Sequence, residues 1–260
     1  MGDKTGIAWT DATWNPGIFG CKEVSPGCAN CYAAVQAERL GTVFGQKNYA
    51  GLTKPDARDG RAWTGEVRVS DVARLMEKPL HWREPRMIFV NSMSDLFHEA
   101  VPDSHIEAVL DVMAQTPRHT YQTLTKRPER MLAFLADRPT LTNAWWGTSI
   151  EDQTRCDERL PIIKRVKAAV RFVSFEPLIG PIAADLTGIE WAIVGGESGP
   201  NRRPFDTGWA ATIYRQCLTD GVAYFGKQTS ALKSGVELPA PYNLKRFPTG
   251  AAPREGAADE

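Results

Sequence analysis

The sequence predicts an α/β fold, a full or partial (β/α) TIM-like barrel with parallel strands. Three observations carry this expectation. Short β-branched or aromatic runs alternate with amphipathic stretches of helical length from residue 66 to residue 228, and strands separated by helices pair in parallel through right-handed crossovers. About eight strand candidates can be counted, close to the number of a closed barrel. Neither G-x-G-x-x-G nor G-x-x-x-x-G-K-[ST] follows any strand, so the alternative, an open doubly wound sheet, lacks its nucleotide-binding fingerprints.

Taken in order, a first strand is expected within "TWNPGIF" and a first helix in the Ala-rich "CYAAVQAERLG", with Gly41 as its stop. Residues 42–65 carry turn residues and little periodicity, which marks a surface insertion. "EVRV" (66–69) reads as a strand and "DVARLMEKPLHW" (71–82) as a helix. The unit then recurs. "RMIFVNSMSD" precedes "DSHIEAVLDVMAQT"; "TYQTLTKRP" precedes "ERMLAFLADR"; "AWWGTSIED" precedes "CDERLPIIKRV". "AVRFVSFEPL" is followed by a short link, "EWAIVGGESG" precedes "DTGWAATIYRQCLTDG", and "VAYFGKQ" closes the series. The domain expectation is one (β/α)-barrel over residues 1–246 and a flexible tail over 247–260, where the composition is that of a loose segment.

A chain of 260 residues buries a hydrophobic core without disulfide staples. Its 31 basic residues balance 31 acidic ones, so no global field recruits nucleic acid or an anionic membrane, and any such contact needs a local patch. No apolar run approaches the roughly 18 residues of a spanning helix. The start "MGDKTGIAWTD" has neither a signal peptide's order nor a myristoylation signal. A cytoplasmic, reducing compartment is expected. There, clustered cysteines in an odd total of five point to metal or catalysis before disulfides.

In a barrel of this kind the active site lies at the C-terminal ends of the strands, and here those ends are polar. They carry Asn91, Ser92, Ser94 and Asp95; Thr125, Lys126 and Arg127; Thr148, Ser149 and Glu151; Ser174 and Glu176; Gly195, Gly196, Glu197 and Ser198; Lys227 and Gln228. Polar residues also mark where strands become loops, but six or seven such ends on one face form a candidate site. Trp9, Trp14, Trp145 and Trp146 are candidates for its walls or for the core. Cys156 and Cys217, in helix-like segments, read as buried small hydrophobes. The four histidines form no H-x-x-x-H or H-E-x-x-H pattern, and "GGESG" does not place its serine in G-x-S-x-G.

"NPGIFGCKEVSPGCANCYAAVQAERL" (15–40) holds Cys21, Cys28 and Cys31 in the spacing C-x6-C-x2-C. A C-x-x-C pair entering a helix N-terminus sets two sulfurs on one turn, where the dipole and free N–H groups favour thiolates. Cys21 reaches back across a Pro-Gly turn to supply a third. Four thiolates close a tetrahedral zinc site or a cluster, whereas three leave a metal position open. The readings are a [4Fe–4S] cluster with one iron free, structural zinc with a fourth ligand such as His98 or Cys156, a redox C-x-x-C pair, or three incidental cysteines.

Three cysteines after the first strand of a β/α barrel resemble the radical S-adenosylmethionine superfamily. More narrowly, "WNPGIFGCKEVSPGCANCYA" resembles the phage- and prophage-associated three-cysteine-motif proteins, an uncharacterised family, and the likeness extends through "NSMSDLFH", "TKRP", "GTSIE", "SFEPL", "GGESG" and "GKQ". This resemblance implies that Cys21, Cys28 and Cys31 hold a [4Fe–4S] cluster whose free iron binds S-adenosylmethionine. It also implies an external electron donor and a 5′-deoxyadenosyl radical that takes hydrogen from a substrate. The spacing departs from the superfamily's commonest C-x3-C-x2-C: the first gap is six and Asn30, not an aromatic, precedes the last cysteine. By strand order Asn91, Ser92 and Asp95 are assigned to S-adenosylmethionine, together with Ser149, Gly195 and Glu197. Lys126, Arg127, Glu151 and Glu176 are assigned to catalytic or substrate contacts.

Basic pairs at 126–127, 164–165, 202–203 and 245–246 suit a nucleotide or nucleic-acid substrate if several share the site face. The alternative is a non-enzymatic, zinc-stabilised module that binds nucleic acid or protein.

Overall fold

A computed structural model describes residues 4–56 and 60–249. After β1 (Ala12–Trp14), the chain forms β2 (Ile18–Phe19), α1 (Tyr32–Thr42), β3 (Thr53–Pro55), β4 (Arg61–Trp63), β5 (Arg68–Val69) and a single turn, α2 (Ala73–Met76). The regular part follows: β6 (Met87–Val90), α3 (Asp103–Gln115), β7 (Thr120–Thr125), α4 (Pro128–Leu135), β8 (Ala144–Ser149), α5 (Gln153–Ile163), β9 (Val170–Phe175), β10 (Trp191–Gly195), α6 (Thr207–Asp220) and β11 (Ala223–Gln228). Seven strands pair in parallel in the order β1-β6-β7-β8-β9-β10-β11. The sheet curls into a half barrel with helices, so the barrel is partial.

The eighth strand candidate, "EVRV", supplies β5, which pairs antiparallel with β2 outside the main sheet. It runs back along the loop after β1, where the Ser70 N–H donates to the Gly17 carbonyl at 2.8 Å. β1 therefore meets β6 directly. The helix expected over 71–82 shrinks to α2 and a 3-10 turn at Lys78–His81, because Pro79 has no N–H and its ring clashes with the preceding turn. Helix α1 runs past Gly41 to Thr42. A Cβ on Gly41 would lie 3.1 Å from the Tyr49 carbonyl carbon and oxygen, so this glycine admits a crossing backbone. Gly221 ends α6 as a left-handed cap at φ +69°.

Two cores follow from the period-2 alternation of the strands. Ile88, Val90, Trp146, Val173, Phe175, Ala192, Val194 and Tyr224 face outward and pack on the helices. Met87, Phe89, Trp145, Val170, Phe172, Trp191, Ile193 and Phe225 face the hollow of the half barrel, with Trp9 packed among them. A Cβ on Gly147 would lie 2.5 Å from the Phe172 ring, so a small residue opposite a large one fills the curl. The insertion at 42–65 folds as the β3–β4 hairpin, and its Tyr49, Leu52 and Trp63 share a third core with Ala33, Ala34 and Ala37 of α1. Phe247, the first residue of the expected tail, packs 5.3 Å from Trp191 in a tilted contact and 5.3 Å from Phe225 edge to face, centroid to centroid. Residues 250–260 lie outside the described residues. Among the described residues, no helix is long and apolar enough to cross a membrane.

Candidate functional site

The inward positions of the strands determine what lines the mouth. Continuing the alternation, Lys126 follows Leu124, Ser149 follows Trp145 and Gly147, Ser174 follows Phe172, and Lys227 follows Phe225. Ile7, Trp9, Phe89 and Leu124 form the apolar floor of a cleft of ≈ 200 Å³, and Lys126, Ser149, Ser174, Glu176, Glu197, Lys227 and Cys31 line its walls. Of the four tryptophans singled out, Trp9 lines this cleft, Trp145 belongs to the inner core, and Trp14 and Trp146 belong to the outer one.

The cysteine segment crosses the mouth. Pro26–Cys28 is a single 3-10 turn, the Cys28 N–H donates to Ser25 O at 2.9 Å, and Cys31 is the N-cap of α1. All three thiols are half-buried and free. Burial, and after it the Asp95 carboxylate, push the Cys21 thiol up to about 12, and the other two cysteines act on it in the same direction. Cys28 and Cys31 both therefore lie near Cys21. Tyr32, more than half exposed, donates its hydroxyl to the Ser92 carbonyl at 2.7 Å.

Asp95 and Arg127 form a polar floor beside Cys21. Asp95 accepts from Thr125 Oγ1 at 2.7 Å, from the Phe97 N–H at 3.0 Å and from Arg127 Nη1 at 3.0 Å. Arg127 also meets Glu99 at 2.8 Å. Burial alone lowers the Arg127 pKa, but Asp95 and the other anions outweigh it and raise it overall. Asn91 sits at φ +60° with its amide on Ser94, and Ser92 bonds Asn15. Neither Asn91, Ser92 nor Asp95 lines the cleft; the Ser92 carbonyl holds Tyr32, and Asp95 lies beside Cys21.

The three glutamates differ in their partners. Glu176 accepts from Ser174 at 3.1 Å and pairs with Lys227 at 2.8 Å on one wall of the cleft. A Cβ on Gly195 would lie 2.5 Å from the Glu176 carboxylate, so that glycine makes room for the pair. Glu151 is fully buried, bound to Arg159 at 3.0 Å and to the Gly27 N–H at 3.2 Å. Glu197 accepts from Asn30 Nδ2 at 2.9 Å and from the Arg203 N–H and guanidinium. Burial raises the Glu197 pKa, but Arg203 and Asn30 offset this and hold the carboxyl below its usual range. Lys126 Nζ, by contrast, has no partner among the described residues.

Gly27 and Arg159 were not singled out from the sequence; Arg203 was expected only as half of a substrate-binding basic pair, and Asn30 only as the residue before the last cysteine. For Arg159 a signal existed: it shares a buried stripe with Cys156, Leu160 and Ile163, and an arginine in an apolar stripe needs a buried partner. Of the four basic pairs, 126–127 and 202–203 reach the mouth. Lys164 lies at the far end of α5 and binds Asp185, and Lys245 binds Glu237 beside mid-β11.

An all-thiol donor set suits iron–sulfur or zinc chemistry and not hard cations. Among the described residues no three His, Cys, Asp or Glu side chains form a ready set for one ion. Cys156 lies in the outer core, and His98, almost fully buried, accepts from the Ala100 N–H at 3.1 Å. One zinc ion holds its sulfurs at about 2.3 Å, hence close together, whereas a cluster spreads three ligands over three irons. Three soft thiols on one loop, with Cys31 on the wall of a cleft, are the donor type that either centre takes.

A family model described as DUF5131, protein of unknown function, matches residues 4–240, and the chain belongs to that family. No curated protein and no solved structure matches it.

Proposed function

We propose that this DUF5131-family protein is a radical S-adenosylmethionine-type iron–sulfur enzyme acting on a nucleotide or nucleic-acid substrate. The observation that carries the reading is the position of the three thiols: a loop across the strand-end mouth of a partial (β/α) barrel, with Cys31 on the wall of its cleft. Cys21, Cys28 and Cys31 would hold a [4Fe–4S] cluster. With S-adenosylmethionine and an external electron donor, that cofactor supplies reductive carbon–sulfur cleavage and a 5′-deoxyadenosyl radical.

The chain's own residues bind, orient and exclude water. Ile7, Trp9, Phe89 and Leu124 offer an apolar bed for a flat ring. Lys126, unpaired, supplies a cation for a carboxylate or phosphate. The Lys227–Glu176 pair offers an ammonium and a carboxylate on one wall, suited to a zwitterionic or hydroxyl-bearing group. Arg202, whose guanidinium donates to the Gly199 carbonyl at 3.2 Å, adds a second cation at the outer rim, and with Lys126 it supports an anionic substrate.

The test is anaerobic reconstitution with iron and sulfide, then dithionite and S-adenosylmethionine, with 5′-deoxyadenosine measured by chromatography. Release by the native chain and none by C28A is expected. No release from a fully loaded chain would sink the reading, and a zinc-bound chain that binds nucleic acid would favour the non-enzymatic module.

A further inference from the structure

We infer that Glu151 and Glu197 are positioning residues, two buried clasps that fix the cysteine loop at two points, Glu151 through the Gly27 N–H and Glu197 through Asn30. The role assigned to the loop rests on the reading above; the clasps rest on contacts alone. Each carboxylate follows a strand of the half barrel, Glu151 after β8 and Glu197 after β10, and each is locked by an arginine from the next turn of chain. Arg159 binds Glu151 and, at 2.7 Å, the Ser149 carbonyl. Arg203 binds both oxygens of Glu197, Oε1 through its guanidinium and Oε2 through its backbone N–H at 2.7 Å.

Both clasps hold residues beside the ligands. Gly27 precedes Cys28 and its N–H meets Glu151; Asn30 precedes Cys31 and its amide bridges Glu197 and the Asn201 carbonyl at 2.8 Å. Segments 124 and 167 residues from the loop in sequence thus converge on it.

Two physical arguments favour positioning over bulk stability. A buried ion pair is a poor stabiliser, since an apolar pair of the same volume often does as well; what the pair uniquely supplies is a fixed, charged acceptor aimed at one N–H. The fit is also tight, because a Cβ on Gly27 would lie 3.0 Å from the Glu151 carboxyl carbon and 3.1 Å from its oxygen. Gly27 has no positive φ, so closeness to the carboxylate is what its side chain would disturb.

The test uses the full chain with G27A and N30A, neither of which strands a buried charge. Hydrogen exchange is followed in peptides covering 21–31 and, as control, 144–149, and loss of iron to a chelator is followed after reconstitution. Each variant should exchange about tenfold faster or more in the loop, with the control peptide unchanged, and lose iron faster by a similar factor. Unchanged loop exchange in both variants overturns the clasps, as does equal acceleration in the control, which would mean general destabilisation. The two readings fail separately. A native chain that takes up no iron while its variants show a loosened loop ends the radical reading and leaves the clasps. A chain that loads iron normally and keeps its loop protected in both variants does the reverse.

Discussion

Replacing Arg159 with methionine strands the Glu151 carboxylate where water does not reach. Glu151 is 0% exposed and Arg159 4%, and after the change, among the described residues, the Gly27 N–H at 3.2 Å is what still faces the anion. Breaking a buried pair from one side costs about 3–5 kcal/mol, on the order of 10 °C in Tm for a domain of this size. Removing both charges in E151L/R159M leaves an apolar pair of similar volume, so most of that loss should return, to within about 1 kcal/mol of the native chain. Urea unfolding followed by tryptophan fluorescence measures all three proteins, and equal slopes would show that the midpoints report stability. A loss under about 1 kcal/mol in R159M, or a double variant no better than the single one, would refute the buried-pair argument. The double variant also separates the two contributions of the pair: it should recover stability while the cysteine loop stays loose.

Other consequences are as direct. G147A drives a Cβ to 2.5 Å from the Phe172 ring and should cost about 1–3 kcal/mol by overpacking, read as a lower urea midpoint. Burial lowers the pKa of both His98 and His119. The unfolded chain therefore binds protons first, and stability should fall as pH drops below about 6.5; a urea midpoint that holds or rises between pH 7.5 and 5.5 contradicts this. K126A removes a cleft cation with no partner of its own, so the fold and iron content should be unchanged while 5′-deoxyadenosine release falls about tenfold or more; unchanged release would remove Lys126 from the site.

The regular half of the barrel was legible because each strand is a contiguous apolar run ending in polar residues, as "RMIFV" and "AVRFVSF" are. "EVRV" has the same composition but only two residues in its ladder, and nothing local distinguishes an antiparallel flap from a barrel strand. Pro79 was a visible breaker that the helical periodicity of 71–82 overrode. The cysteine loop was read at the right place, at the entrance of α1, because C-x-x-C spacing before an Ala-rich run is a local signal. The partners of Glu151 and Glu197 were not legible. A carboxylate at a strand end looks alike whether it pairs with a strand-end lysine, as Glu176 does, or with an arginine further along the chain while also holding the cysteine loop, as Glu151 and Glu197 do, and that choice is made by packing. The same holds for Asn91, Ser92 and Asp95, whose strand-end position is right but whose side chains are engaged beneath the cleft.

Iron, sulfide and zinc content of anaerobically purified protein, with its absorption spectrum, tests the account most directly. An iron–sulfur enzyme should be a brown protein that carries, or takes up on reconstitution, about four irons and about four sulfides, lost when Cys28 becomes alanine. A colourless protein with about one zinc, accepting no cluster under any reducing condition, would contradict it.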